Sequence, residues 1–222
     1  MRFETVVLDL AGTLVVDDGL VEEGFARAYD RVLPGDPGRA AALEHVRVTM
    51  GQSKIEVFRA LADEATAQRL NSAFEAAYAE LVDEGRCAPI PGAEKALAEL
   101  RERGLAVVFT TGFGRATADA IVDTLHWQDL ADAVLTPADA GRGRPAPDLA
   151  LTALLRTRTS SVGALVVVGD TESDAGCGVN AGAGLVVGVL TGGRPESALR
   201  AAGAHDVIGS VVELPALLDA RG

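Results

Sequence analysis

The sequence predicts a doubly wound α/β fold on a parallel sheet, interrupted after its first strand by an all-helical insert. Three observations lead there. Short apolar runs rich in β-branched residues recur along the chain, amphipathic helical patterns alternate with most of them, and the stretch 16–86 contains helical patterns alone. The first run, "TVVLDL" (5–10), is unbroken rather than alternating, as expected for a strand covered on both faces. Four helical patterns follow, over 19–33, 37–50, 53–63 and 65–84, punctuated by "PGDPG" (34–38) and "MGQS" (50–53). "APIPG" (88–92) marks the return to the sheet, and "GAEKALAELRERG" (92–104) reads as a helix closed by Gly104. Then come "LAVVFTT" (105–111), a helix over 114–126, and the strands "AVLT" (133–136), "ALVVVGD" (164–170) and "GLVVGVL" (184–190). The expected division is a core of 1–15 and 87–222 and a helical domain of 16–86, with hinges near 15–19 and 85–90.

Composition narrows the function classes. With 222 residues, 48% of them hydrophobic and 23% charged, the chain reads as globular with a substantial core. A net charge of −12 with no basic block argues against nucleic acid or an anionic membrane as partner. No apolar run reaches the roughly 18 residues needed to cross a bilayer. Two cysteines far apart, Cys87 and Cys177, suit reduced thiols, so the expected location is cytoplasmic. Of 20 basic residues only Lys54 and Lys95 are lysines.

In an open parallel sheet, ligands bind beyond the carboxyl ends of the strands. Four polar signals fall there: Asp9 followed by "AGT", "TTG" (110–112), "GRGRP" (141–145) and "GDTESD" (169–174). Any one alone is ordinary loop punctuation. Together, from four strands at one edge, they point to a single site.

These motifs, with the insert after the first strand, resemble the haloacid dehalogenase superfamily, whose core is Rossmann-like and whose first cap class carries a helical cap in the place of 16–86. The resemblance implies Asp9 as nucleophile, Thr111 as the second-motif hydroxyl, and Asp170 and Asp174 as acidic residues of a metal site. A carboxylate can attack phosphorus to give an aspartyl-phosphate that water cleaves, and a hard cation must offset the meeting of two anions. Mg²⁺ is therefore expected, held by Asp9, Asp170 and a backbone carbonyl assigned to Ala11. Asp174 is expected farther out, or binding through water, with capping of the next helix as its alternative. Backbone amides of 10–13 (Gly12 and Thr13 among them) and of Thr111 and Gly112, with Arg144, are expected to receive the phosphoryl oxygens; Arg142 stands two residues from Arg144 as the solvated counterpart.

Ala11 decides between two reactions. Ordinary superfamily phosphatases carry an Asp two residues after the nucleophile, which protonates the leaving alkoxide. The Asp-x-Ala-Gly-Thr form resembles the phosphonatase branch, which cleaves a C–P bond through a Schiff base on a cap lysine. "MGQSKIEVFRAL" (50–61) resembles that branch's Met-Gly-x-x-Lys segment, which places Met50 in the substrate site and Lys54 at the imine position. Arginine cannot form an imine, so a lysine in this arginine-rich chain is what the reading requires. Two positions depart from the branch: its histidine three residues after the lysine is Val57, and its tyrosine after the second-motif glycine is Phe113. His45 is a candidate substitute. The expected substrate is a small phosphonate aldehyde, with a phosphomonoesterase and a non-catalytic phosphate-binding protein as alternatives. A cap-mediated homodimer is implied by the resemblance alone. Asp17 and Asp18 read as hinge charge, Lys95 and His205 as surface residues, Cys177 as a small packing residue, and His126–Trp127 as a helix end with an aromatic anchor.

Overall fold

The computed structural model describes residues 2–221. Strand β1 (Thr5–Asp9) leads into four helices, α1 (Leu20–Val32), α2 (Arg39–Val48), α3 (Lys54–Arg59) and α4 (Glu64–Asp83). The chain then runs through α5 (Ala93–Glu102), β2 (Ala106–Thr110), α6 (Arg115–Thr124), β3 (Ala133–Leu135), α7 (Pro137–Ala140) and α8 (Asp148–Thr157). It finishes with β4 (Leu165–Gly169), α9 (Glu172–Ala181), β5 (Leu185–Val189), α10 (Glu196–Ala201), β6 (Asp206–Ile208) and α11 (Leu214–Arg221). The six strands form one parallel sheet in the order β3-β2-β1-β4-β5-β6.

Every residue of β1 is buried, and successive side chains serve opposite faces. Val6 and Leu8 join the apolar cluster that includes Leu97, Phe109 and Trp127, whereas Val7 joins the one with Leu149, Ala153 and Ala175. Helices thus cover both faces, which is why the strands read as unbroken apolar runs. Trp127 is the expected anchor: it packs on Phe109 and donates from Nε1 to Glu94 at 2.8 Å. The five strands expected from the sequence are present. A sixth, β6, has no counterpart among those expectations, because its three residues are only half-buried and begin with Asp206, too short and polar to make an apolar run.

The helices of the insert pack on one another and continue the apolar cluster of Val6 and Leu8. Leu70, Phe74, Tyr78 and Leu81 lie on one face of α4 at helical spacing, against Val21, Phe25 and Ala28 of α1. Phe25 packs on Phe58 of α3 at 4.6 Å between ring centroids and on Phe74 at 4.8 Å. Asp63 caps α4 by accepting from the Thr66 amide at 2.9 Å. Phe113, from the loop after β2, joins these rings, meeting Tyr78 at 4.7 Å and Phe74 at 6.0 Å. Among the described residues no helix is long and apolar enough to cross a membrane.

Candidate active site

The strand order reverses beside β1, and the polar strand ends converge there. Asp9 stands in register with Thr110 at the last rung shared by β1 and β2, and Leu8 with Val168 of β4 one rung earlier. Past β1 the chain folds into a tight turn in which Gly12 N donates to Val15 O (2.7 Å) and Thr13 N to Leu10 O (3.3 Å). Gly12 has φ +86°, and a Cβ there would fall 2.5 Å from Asp170 Oδ2, so glycine is required on both counts.

Asp9, Asp170 and Asp174 are buried, and one carboxylate oxygen from each lies within 4.8 Å of the others. The Thr13 hydroxyl donates to Asp170 Oδ1 at 2.9 Å. Burial first, and the neighbouring Asp9 second, push the Asp170 carboxyl well above the ordinary range. Such crowding of hard oxygen donors is what a divalent cation relieves, so these residues fit Mg²⁺. Arg144 supplies charge here already: Nη1 contacts Asp9 Oδ1 at 2.6 Å and pairs also with Asp174. Asp174 has a second role, because its side chain and Thr171 form a capping box at the start of α9. Asp174 thus caps α9 and also stands in the acidic cluster, so the two expectations for it are not exclusive. Arg142, by contrast, is exposed and bonded to Asp148.

A cavity of about 310 Å³ opens over Asp9. Ala11, Met50, Lys54, Thr111, Gly112, Phe113, Arg144 and Asp170, all named from the sequence, line it. Gly12 and Thr13 do not. Their amides, and that of Thr111, which donates to Leu135 O at 3.1 Å, are spent on the turn and the strand end rather than left for phosphoryl oxygens. The turn that presents Asp9 thus engages two of the donors of the amide cradle expected for 10–13, those of Gly12 and Thr13. The Thr111 hydroxyl accepts from the Phe113 amide at 3.1 Å and keeps its own proton to donate. His45 is not among the lining residues; its Nε2 is buried without a partner on α2, so it does not stand in for the missing histidine.

The insert reaches this cavity through direct seating on the strand-end loops. The Lys54 amide donates to Gly112 O at 3.0 Å, and Ser173 Oγ donates to Met50 O at 3.0 Å. The approach is so close that a Cβ on Gly112 would lie 2.3 Å from Gln52 O. Lys54 is only 6% exposed, its Nζ lies 5.0 Å from the Phe113 ring centroid, and no carboxylate of the described residues is within 4 Å of it. Burial and, after it, Arg144 lower its ammonium to about 8, against the partial support of Asp9 and Asp17. Lys95, as expected, is a solvated helix residue. Three further charged lining residues carry no signal of it in the sequence. Asp17 reads there only as hinge charge, and Arg47 and Arg194 look like surface arginines; Arg194 donates to Arg47 O at 2.6 Å across the mouth.

The sequence model of the haloacid dehalogenase-like hydrolases matches residues 3–182. The chain belongs to this family. This haloacid dehalogenase-like hydrolase is 31% identical over 212 residues to phosphonoacetaldehyde hydrolase of Bacillus cereus, a match covering 86% of the chain and 77% of that protein. Its fold is shared with a hydrolase from Pseudomonas syringae at TM-score 0.86 and 24% identity, over 98% of both chains. A phosphonoacetaldehyde hydrolase like protein from Oleispira antarctica superposes at TM-score 0.82 and 24% identity, over 99% of this chain and 92% of that one.

Proposed function

We propose that this hydrolase cleaves the C–P bond of phosphonoacetaldehyde or a close analogue, with 16–86 acting as a cap over the core of 1–15 and 87–222. The carrying observation is the burial of Lys54 in the cavity that also holds Asp9 and Ala11. A lysine lowered to about 8 keeps a useful neutral fraction near neutral pH and can attack an aldehyde. Loss of water then gives an iminium, which draws electrons from the adjacent C–P bond. Asp9 attacks phosphorus, the carbon leaves as an enamine, and no acid is needed beside the nucleophile, which accounts for Ala11. Water opens the aspartyl-phosphate, and hydrolysis of the imine formed by protonation of the enamine returns Lys54 and acetaldehyde.

Arg144, held by Asp9 and Asp174, and the Thr111 hydroxyl are assigned to the phosphoryl oxygens, with Ala11, Met50, Gly112 and Phe113 lining the substrate space. Asp9, Asp170 and the Ala11 carbonyl are the residues assigned to Mg²⁺, which when bound offsets the charge between nucleophile and substrate. The 31% identity to the Bacillus cereus enzyme supports this reading over an ester phosphatase. The test is turnover: wild-type protein with Mg²⁺ should release phosphate and acetaldehyde from phosphonoacetaldehyde, and Lys54→Arg should not. Release of phosphate from phosphate monoesters alone, insensitive to Lys54→Arg, would favour the phosphomonoesterase.

A further inference from the structure

Imine chemistry moves protons at Lys54 twice, once when the amine adds to the aldehyde and once when the hydroxyl leaves. The cavity limits which group can do this. Its titratable and charged lining residues are Asp9, Asp17, Arg47, Lys54, Arg144, Asp170 and Arg194. Arginines stay protonated. Asp9 is held by Arg144 and must attack phosphorus, and Asp170 is held by Thr13 within the acidic cluster. Asp17 alone remains.

Asp17 sits where the chain passes from β1 into α1, and one oxygen is fixed: Oδ1 accepts from the Val21 amide at 2.9 Å. The charged and titratable groups that face it are Lys54 from α3, Asp9 from the end of β1 and Tyr78 from α4, whose hydroxyl is buried without a partner. Burial is the largest influence on Asp17 and raises its carboxyl above the usual carboxylate range. Among the described residues, neither Asp17 nor Lys54 forms an ion pair that would trap its proton.

We infer that Asp17 is the general acid and base for imine formation on Lys54, a role that rests on the C–P cleavage reading above. The neutral amine of Lys54 adds to the aldehyde carbon, and the carbonyl oxygen becomes a hydroxyl as nitrogen gives up its proton. Asp17 then passes its carboxyl proton to that hydroxyl. The C–O bond breaks, water leaves, and the nitrogen lone pair completes C=N⁺. Asp17 is left as a carboxylate facing the iminium, and the reverse sequence releases the aldehyde product.

The test is the rate of borohydride-trapped adduct on Lys54, followed by intact mass from pH 6 to 9 with phosphonoacetaldehyde and Mg²⁺. Asp17→Asn keeps an oxygen for the Val21 amide, so the start of α1 is preserved. It should slow adduct formation about 100-fold and alter the pH profile, whose remaining rise with pH is that of the Lys54 amine alone. Asp17→Glu should recover part of the rate, and affinity for inorganic phosphate should not change, which a merely structural role would alter. Asp17→Ser also retains a capping oxygen and carries the same comparison if the Asn variant fails to fold. Wild-type rates and an unchanged profile in the folded variants would overturn the assignment of Asp17 and leave the imine standing. No adduct in the wild type would overturn the imine reading, and the assignment with it.

Discussion

The sheet edge and the helical insert contribute to one cavity by different physical routes. At the edge, Asp9, Thr111 and Asp170 are each set by the end of a buried strand, so position follows from register with little freedom. In the insert, Lys54 is placed by tertiary seating: its own amide on Gly112 O, Met50 O under Ser173, and Phe113 pushed into the aromatic cluster of Phe74 and Tyr78. The groups assigned to substrate at the edge are therefore pre-organised by the core. The amine that would form the imine is only as well placed as the insert is seated.

The largest expected effect tests the edge. Asp9→Asn should lower turnover about 10⁴-fold or more while the thermal melt stays cooperative, because the nucleophile is lost and the fold is not. Next, Phe74→Ala removes the ring shared by Phe25, Tyr78 and Phe113 and should cost about 3–5 kcal/mol, read by denaturant unfolding. If the two regions differ in this way, hydrogen exchange in that variant will rise first in α1, α3 and α4 and last in β1 and β4. A third change separates chemistry from stability. Lys54→Met should abolish aldehyde turnover yet raise stability near pH 7 by on the order of 2 kcal/mol, because a buried ammonium is removed.

The fold was legible because strand periodicity and helix spacing are local properties. So were the acidic residues and Thr111, since strand ends in a parallel sheet share one edge. Three things were not legible. Asp17 faces the cavity only because α1 turns back at Val21, and Arg194 reaches it only because the loop after β5 folds over the mouth; neither is encoded by spacing. The engaged amides of Gly12 and Thr13 reflect hydrogen bonds inside the turn, which a motif does not reveal. Phe113 looks in the sequence like a catalytic departure and is also a packing residue shared by core and insert.

The seating itself gives a smaller effect. Gly112→Ala would drive a Cβ against Gln52 O, so the insert must lift; KM should rise roughly tenfold with a modest fall in kcat. The pH dependence is gentler. With Lys54 at about 8, the rate of imine formation should climb as pH rises from 6 and level off above 8, because only the neutral amine attacks. The same depressed value predicts, from the sign of the linkage, that stability rises with pH between about 8 and 10.5, where the unfolded chain holds a proton that the folded one has lost.

The proposed chemistry turns on Lys54 being a nucleophile toward an aldehyde and not a buried cation serving only to attract phosphate. Borohydride reduction of the protein with phosphonoacetaldehyde and Mg²⁺, followed by peptide mass mapping, measures that directly. The expected result is one reduced adduct, on the peptide carrying Lys54 and absent from Lys54→Arg. An unmodified Lys54 in protein that turns the substrate over would contradict it.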